Sequence, residues 1–453
     1  QCQHSVERTR RGEATASIGS IQHGWNRCAH SAIHGLSSCA AGSAHHSGKC
    51  NGWRNGRASS HRHCEKSMID FIPFFRSPWQ APSSAASLSV DLMRVLESGQ
   101  YILGPQVREF ESALSERLSN HQVVALNSGT DALVLALQVL NLQPGDEVIL
   151  PTYTFFACFE AVLRVGATPI LADSADDDFL CGEAQIRPHL SPRTRAVIGV
   201  PLFGDASGIP AIAQLCRDGG ITLIEDAAQA LGAKAFDIHR GWLAAGTMGD
   251  ISTLSFYPTK TLGAAGDAGA LVSSNGYFAD QARALRNHGL TSTLHTGIGL
   301  NSRMDEIQAT VLLQGLNRLD DWLTQRQAIA QCYLQGLANI PGITLPRHND
   351  GHAWNYFVLR CDRRDELQAR LKERGVDTRI YYQRAIHEQP AYRERFNRPQ
   401  STNAQVHAQQ ALAIPLFPGL TTAETQWVIE AIRAACHDSE EVSVCTTETI
   451  RSR

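Results

Sequence analysis

Between residues 123 and 273, short runs of apolar, β-forming residues alternate with helical stretches, and this pattern restricts the possible folds more than any other feature. The runs that we predict as strands are 123–126, 147–150, 168–171, 196–201, 221–225, 251–256 and 268–273. Several are apolar on both faces, as strands are when helices cover both sides of a parallel sheet. The alternation therefore predicts an α/β fold whose large domain is a doubly wound, mostly parallel sheet with helices on both faces.

The flanking regions indicate a second, smaller domain. A helix is expected to begin at Pro105, one or two long helices follow Met304, and residues 354–361, 363–374 and 376–381 are predicted as strand, helix and strand. A last helix is expected at 423–435. We expect a large domain at 68–320, a smaller C-terminal α+β domain at 321–436 and a disordered tail at 437–453.

Residues 1–67 differ from the rest of the chain in composition. They contain eight of the 18 His, five of the 12 Cys and only five Leu, Ile or Val. Such a stretch buries too little apolar surface to offset its ordering entropy, so we expect a disordered or artefactual extension before a natural start at Met68. A metal site, for instance at Cys50, His61, His63 and Cys64, is the alternative, but the spacing matches no standard zinc pattern.

Charge and hydropathy exclude two classes of partner. The net charge is −3, and the first 67 residues carry +6, so the remainder is mildly acidic, which argues against nucleic-acid binding. No run approaches the roughly 18 consecutive apolar residues of a membrane-spanning helix. With single, scattered cysteines after residue 67, the expectation is a cytoplasmic protein without a membrane partner.

Polar residues directly after strands are the candidates for chemistry, because ligands of open α/β sheets bind at the carboxyl ends of the strands. Gly129 and Thr130 follow one strand and open a helix, where free N–H groups and the helix dipole would hold a phosphate. The same pattern is also an ordinary helix cap. Asp226 ends an apolar strand, where it would pair with a cation such as a protonated pyridine nitrogen or simply cap the next turn.

Lys260 follows another strand and precedes a Gly/Ala-rich loop, a position suited to forming a Schiff base and moving protons. Taken alone, a loop lysine is usually only solvated. Tyr153, Phe155 and Phe156 follow a further strand, and one of these rings could stack on a flat heterocycle, although aromatics there are more often part of the core.

Taken in order, these segments resemble the DegT/DnrJ/EryC1/StrS family of sugar aminotransferases. The similarity runs from about Ile72 to Ala435 and rests on blocks in one order: SGQYILGPQVREFE (98–111), NSGTDAL (127–133), PGDEVILPTYTFFA (144–157), GATPILAD (166–173), IEDAAQALGA (224–233), GDISTLSFYPTKTLGAAGDAGAL (249–271), RNHG (286–289), GLNSRMDEIQATVL (299–312) and HEQPAY (387–392). The resemblance implies fold type I of the pyridoxal 5'-phosphate (PLP) enzymes, the aspartate-aminotransferase fold, and transfer of an amino group from a donor, expected to be glutamate, to a nucleotide-linked keto-sugar.

The resemblance also implies roles for single residues. Lys260 would carry the cofactor, Asp226 would pair with its pyridine nitrogen, and Gln229 would contact its hydroxyl. The phosphate would be held by Gly129, Thr130 and Ser255, and Phe155 would stack on the ring. Asn301 would reach the phosphate of the neighbouring subunit, which implies a homodimer with shared active sites.

Two departures from the family pattern fall where substrate or partner loops are expected. Asp205 stands where a Gln often follows the aromatic-Gly pair, and Tyr381-Tyr382-Gln383 replaces His-Tyr-Pro. A sugar dehydratase of the same family would have His at the position of Lys260, and a regulatory protein could keep the fold without activity. The intact Lys260, Asp226 and Gln229 weigh against both. GQYILGP and the NSR form of the Asn301 motif resemble enzymes acting at the third ring carbon.

Overall fold

The computed structural model describes residues 69–396 and 401–450, and only the backbone at 82, 83 and 438–450. The expectations about residues 1–67, including the alternative metal site, lie outside the described residues. The helices are α1 Pro82–Ser98, α2 Pro105–Arg117, α3 Gly129–Gln138, α4 Ala157–Arg164, α5 Glu183–Ile186, α6 Ile209–Gly219, α7 Gly276–Leu285, α8 Glu306–Leu316, α9 Leu319–Gly336, α10 Arg364–Glu373, α11 Pro390–Arg393, α12 Thr402–Gln410 and α13 Thr422–Ile450. The strands are β1 Gln122–Leu126, β2 Glu147–Pro151, β3 Thr168–Ala172, β4 Thr194–Gly199, β5 Thr222–Asp226, β6 Lys234–Asp237, β7 Gly241–Ala244, β8 Ile251–Ser255, β9 Gly269–Ser273, β10 Leu290–Thr291, β11 Leu294–His295, β12 Ile343–Thr344, β13 Phe357–Cys361 and β14 Ala411–Ile414.

The predicted large sheet is confirmed. Its order is β1-β9-β8-β5-β4-β2-β3, and β9 is antiparallel to both of its neighbours, β1 and β8. The remaining pairs in the sheet are parallel. Because β1, β2, β5 and β8 run in one direction, their carboxyl ends meet at the same edge of the sheet.

Successive side chains of a strand point to opposite faces, and this divides the large core into two layers. Val148 and Leu150 pack in one cluster with residues of α3, α4 and α7. Ile149 lies between them and packs in the other cluster with residues of α2, α6 and α8. The strands are apolar on both faces because helices cover both sides of the sheet, as the sequence predicted.

A third hydrophobic cluster surrounds the small sheet, whose order is β12-β13-β14. Ile72 belongs to this cluster, and its backbone exchanges hydrogen bonds with Gly375 and Asp377. The segment at Ile72 was assigned from the sequence to the large domain, but its side chain is buried with the C-terminal elements. Helix α9 contributes Trp322 to the large core and Tyr333 to the small one, so the expected boundary at 320 falls where both cores share a helix.

Other expectations differ from the structure in the C-terminal part. Residues 376–381 do not form a strand, because they pair only through single bridges at Val376 and Arg379, and β14 supplies the strand beside β13 instead. Helix α13 extends to Ile450, where a disordered tail from 437 was expected, since no Gly or Pro interrupts the helix up to that point. The β6–β7 hairpin was not predicted. No helix in the described residues is both long and apolar enough to cross a membrane.

Candidate active site

A cavity of about 500 Å³ opens at the carboxyl edge of the large sheet. The structure brings seven of the eight site residues selected from the sequence to its wall: Gly129, Thr130, Phe155, Asp226, Gln229, Ser255 and Lys260. They lie at the carboxyl ends of β1, β2, β5 and β8 or in the segments directly after them, so the parallel sheet brings them together. Asn301 does not line this cavity.

The start of α3 forms one end of the cavity. The hydroxyl of Ser128 accepts a hydrogen bond from the backbone N–H of Asp131 at 3.1 Å, so the cap satisfies only one amide of the first turn. The N–H groups of Gly129 and Thr130 precede the first intrahelical hydrogen bonds and remain available. A side chain on residue 129 would place its Cβ 2.8 Å from Cβ of Ser255, so only glycine lets β8 approach this turn closely. The arrangement can hold a phosphate.

The two acidic residues at the end of β5 point to opposite faces and have different surroundings. The carboxylate of Glu225 accepts hydrogen bonds from the N–H groups of Gly246, Met248 and Gly249 and from the hydroxyl of Ser252, which holds the turn before β8. Glu225 therefore has a structural position, and only Asp226 reaches the cavity.

Asp226 is 6% exposed, and both of its carboxylate oxygens have partners. Oδ2 accepts from Sγ of Cys158 at 3.0 Å, and Oδ1 accepts from Oγ1 of Thr253 and from the N–H of Ala228, each at 3.3 Å. Burial raises the pKa of Asp226, while the Cys158 hydrogen bond and the positive charge of Lys260 counteract this rise. A cation in the cavity would further favour the ionised carboxylate.

Lys260 lies in the turn after β8, where its backbone N–H donates to the carbonyl of Tyr257 at 2.9 Å. Its ammonium nitrogen is 6.0 Å from the centre of the Tyr356 ring. The hydroxyl of Tyr356 is in turn 2.7 Å from Oγ1 of Thr259. The amine of Lys260 therefore lies near the Tyr356 ring, and Lys260 and Asp226 line the same cavity.

Gln229 is held by two hydrogen bonds. The backbone N–H of Phe203 donates to Oε1 at 2.9 Å, and Nε2 donates to the hydroxyl of Tyr382 at 2.9 Å. The amide can thus donate, but not accept, on the side of Tyr382. A phenolate oxygen of a bound ligand would match that donor.

The structure separates the three aromatic residues after β2. Phe155 is 54% exposed and lines the cavity, with its ring centre 6.0 Å from that of Tyr382. The ring of Phe156 packs on Phe159 in the core. The hydroxyl of buried Tyr153 donates to the carbonyl of Tyr381 at 2.6 Å and accepts from the N–H of Tyr382 at 2.9 Å. Of the three aromatic residues after β2, Phe155 is the one that is placed to stack on a ligand ring.

Asn301 lies on the surface of the chain. Its Oδ1 accepts from Nε of Arg303 at 2.9 Å, and its Nδ2 donates to no acceptor among the residues that the structure describes. Asp205 does not line this cavity either. Its carboxylate accepts a hydrogen bond from the backbone N–H of Ser207. Neither residue contributes to the cavity of its own chain.

Sequence reasoning assigned no individual role to several residues that line the cavity: Tyr257, Asp267, Tyr356, Tyr381 and Tyr382. The aromatic pair at 381–382 was noticed as a departure from the family pattern, but its hydrogen bond to Gln229 was not predictable. Cys158 was also missed, because it lies on helix α4 and its partner Asp226 is 68 positions away, at the end of β5.

Comparisons with known proteins agree with this geometry. Residues 84–433 match the DegT/DnrJ/EryC1/StrS aminotransferase family. The chain is 38% identical over 366 residues to the dTDP-3-amino-3,4,6-trideoxy-alpha-D-glucose transaminase of Streptomyces venezuelae, across 80% of this chain and 95% of that protein. It is 33% identical over 369 residues to the UDP-2-acetamido-2-deoxy-3-oxo-D-glucuronate aminotransferase of Pseudomonas aeruginosa, across 81% of this chain and 99% of that protein.

A similar solved structure is NtdA of Bacillus subtilis with bound cofactor PMP. It has a TM-score of 0.75 and 30% sequence identity, across 82% of this chain and 86% of that chain. The family match spans most of the chain, and the relatives are covered almost completely. The chain therefore belongs to the DegT/DnrJ/EryC1/StrS aminotransferase family.

Proposed function

We propose that this protein is a PLP-dependent aminotransferase that transfers an amino group from glutamate to the keto group of a nucleotide-linked sugar. The observation that carries the proposal is that Lys260, Asp226 and the amide-rich start of α3 share one cavity. Transaminase relatives and the PMP-bound NtdA structure support it.

The residues of the cavity fit the cofactor in charge and shape. The N–H groups of Gly129 and Thr130, with the hydroxyl of Ser255, would bind the phosphate. Asp226 would pair with the pyridine nitrogen, Gln229 would donate to the ring hydroxyl, and Phe155 would stack on the ring. When bound, PLP supplies the electron sink for the carbanion that transamination requires.

Lys260 has two tasks in this proposal. Its amine would hold the cofactor covalently and, when free, would serve as the proton donor and acceptor in each half-reaction. The rings of Tyr356, Tyr381 and Tyr382 line the same cavity as that amine. A family dehydratase would have His at position 260, so the lysine favours transamination.

For the substrate, we propose a keto group at the third ring carbon. The names of the two relatives specify different nucleotides and different sugars, but both name the third carbon. The GQYILGP and NSR segments support the same position.

For the assembly, we propose a homodimer in which Asn301 of each subunit reaches the cofactor phosphate of the other. Asn301 is exposed and has an unused donor, and an apolar strip on α1, formed by Val90, Met93 and Leu96, is also exposed. The free thiols of buried Cys158 and Cys181 suit a reducing compartment, so we place the enzyme in the cytoplasm.

The test is incubation of the purified protein with glutamate and a panel of nucleotide keto-sugars, followed by mass spectrometry. We expect amination of a 3-keto sugar, a yellow protein, and a borohydride-fixed pyridoxyl group on Lys260 by peptide mapping. The Lys260→Ala variant is the matched control. A protein that neither retains PLP nor aminates any member of the panel would contradict the proposal and favour a regulatory role.

A further inference from the structure

Cys158 lies in the first turn of α4 and has no exposed surface. Its Sγ is 3.0 Å from Oδ2 of Asp226, and Oγ1 of Thr154 is 3.8 Å from the same sulfur. Burial raises the pKa of the Cys158 thiol well above its usual value, so the sulfur keeps its proton. A carboxylate can only accept, so the hydrogen bond runs from the thiol to Asp226, and the Thr154 hydroxyl donates to the sulfur.

This contact differs from those at the other carboxylate oxygen. Oδ1 takes its hydrogen bonds from the β8 residue Thr253 and from the N–H of Ala228 in its own turn. Oδ2 takes its hydrogen bond from α4, an element on which the sequence placed no site residue. Cys158 thus fixes one oxygen of a buried carboxylate whose charge is otherwise disfavoured by burial.

We propose that Cys158 is a positioning residue that keeps Asp226 ionised and oriented toward the pyridine nitrogen of the cofactor. The proposal rests on the PLP-dependent function inferred above. One proton would be shared between the Asp226 carboxyl and the ring nitrogen. A hydrogen bond donated to the carboxylate stabilises its ionised form and so favours the proton on the nitrogen. Without the thiol, the proton shifts toward Asp226 and the ring withdraws electrons less strongly.

The experiment compares Cys158→Ser, which retains a donor, with Cys158→Ala and Cys158→Val, which lose it. Each variant is reconstituted with PLP labelled with ¹⁵N in the ring, and the ring-nitrogen chemical shift is measured by NMR. We expect the Ala and Val variants to shift toward the deprotonated value and to lose about tenfold in kcat. The Ser variant should retain the shift and most of the turnover.

Cys216→Ala is the control, because Cys216 is a buried thiol on α6 and does not line the cavity. It should leave the ring-nitrogen shift unchanged. A wild-type shift in the Ala and Val variants, or an equal loss in the Ser variant, would overturn the role of Cys158 alone. Failure of the unmodified protein to retain PLP would overturn this role together with the proposed function.

Discussion

The backbone N–H of Phe203 donates to Oε1 of Gln229 at 2.9 Å, and this bond determines which end of the amide faces the cavity. Nε2 lies on the other side, 2.9 Å from the hydroxyl of Tyr382. An amide has one accepting and one donating end, so a main-chain donor far from Gln229 in sequence makes that residue a donor toward the ligand.

Replacement of Gln229 by Glu tests this orientation. The substitution keeps the acceptor for Phe203 but puts a carboxylate oxygen in place of Nε2, facing the position proposed for the phenolate oxygen of the cofactor. We expect cofactor retention to weaken by at least about tenfold, measured by equilibrium dialysis against PLP, because two like charges would face each other. An apoprotein melting temperature near that of the wild type would show that the fold is intact. Unchanged retention would mean that Gln229 does not meet the cofactor.

Glu225 and Asp226 should respond differently to substitution. Glu225→Ala leaves three buried N–H groups without an acceptor, so we expect a loss of about 3 kcal/mol in the free energy of unfolding. Asp226→Ala should instead retain PLP binding and lose most of its turnover. Denaturant unfolding and steady-state kinetics on both variants check this. A comparable loss of turnover without destabilisation in Glu225→Ala would reverse the assignment.

The stability of the apoprotein should depend on pH through Asp226. Burial raises its pKa in the folded state, so the folded protein binds a proton that the unfolded chain releases first as the pH rises. The contribution of this group to stability is therefore lost between the ordinary Asp pKa and the raised one. We expect Asp226→Asn to gain stability relative to wild type as the pH rises above the ordinary Asp pKa. A difference in unfolding free energy that is independent of pH would contradict the burial effect.

The shared active site is tested by complementation between subunits. Lys260→Ala should be inactive, and Asn301→Ala should weaken cofactor retention by about one to two orders of magnitude, because a charge-assisted hydrogen bond to the phosphate would be lost. In a mixed dimer one site collects both substitutions and the other collects neither, so activity should reappear on mixing. If Lys260 and Asn301 of one subunit serve the same site, every site in the mixed dimer carries one substitution, and mixing would restore no activity.

Deletion of residues 1–67 should leave the melting temperature and turnover nearly unchanged. Their composition supplies little apolar surface to bury against a core. Calorimetry and steady-state assays of the shortened chain make the comparison. A large loss of either property, or stoichiometric zinc bound through that segment, would refute the expectation.

The sequence determined the large sheet and the positions of Lys260, Asp226 and the Gly129 turn. Each strand is a local pattern of apolar residues bounded by turns, and the carboxyl ends of parallel strands must meet, so the order of motifs along the chain is enough to predict a common site. The pairing of β13 with β14 was not predictable in this way, because a strand between residues 376 and 381 is equally compatible with the local pattern.

Only the tertiary structure decided which neighbouring residues face the cavity. Glu225 and Asp226 are both acidic and adjacent, and Tyr153, Phe155 and Phe156 are all aromatic, so composition cannot separate them. The pleat of β5 and the packing of α4 distinguish these residues, because they direct Asp226 and Phe155 into the cavity and bury their neighbours. The contact from Cys158 to Asp226 and the orientation of Gln229 also depend on packing between distant elements, because no periodicity of one segment specifies which side chain of another will reach it.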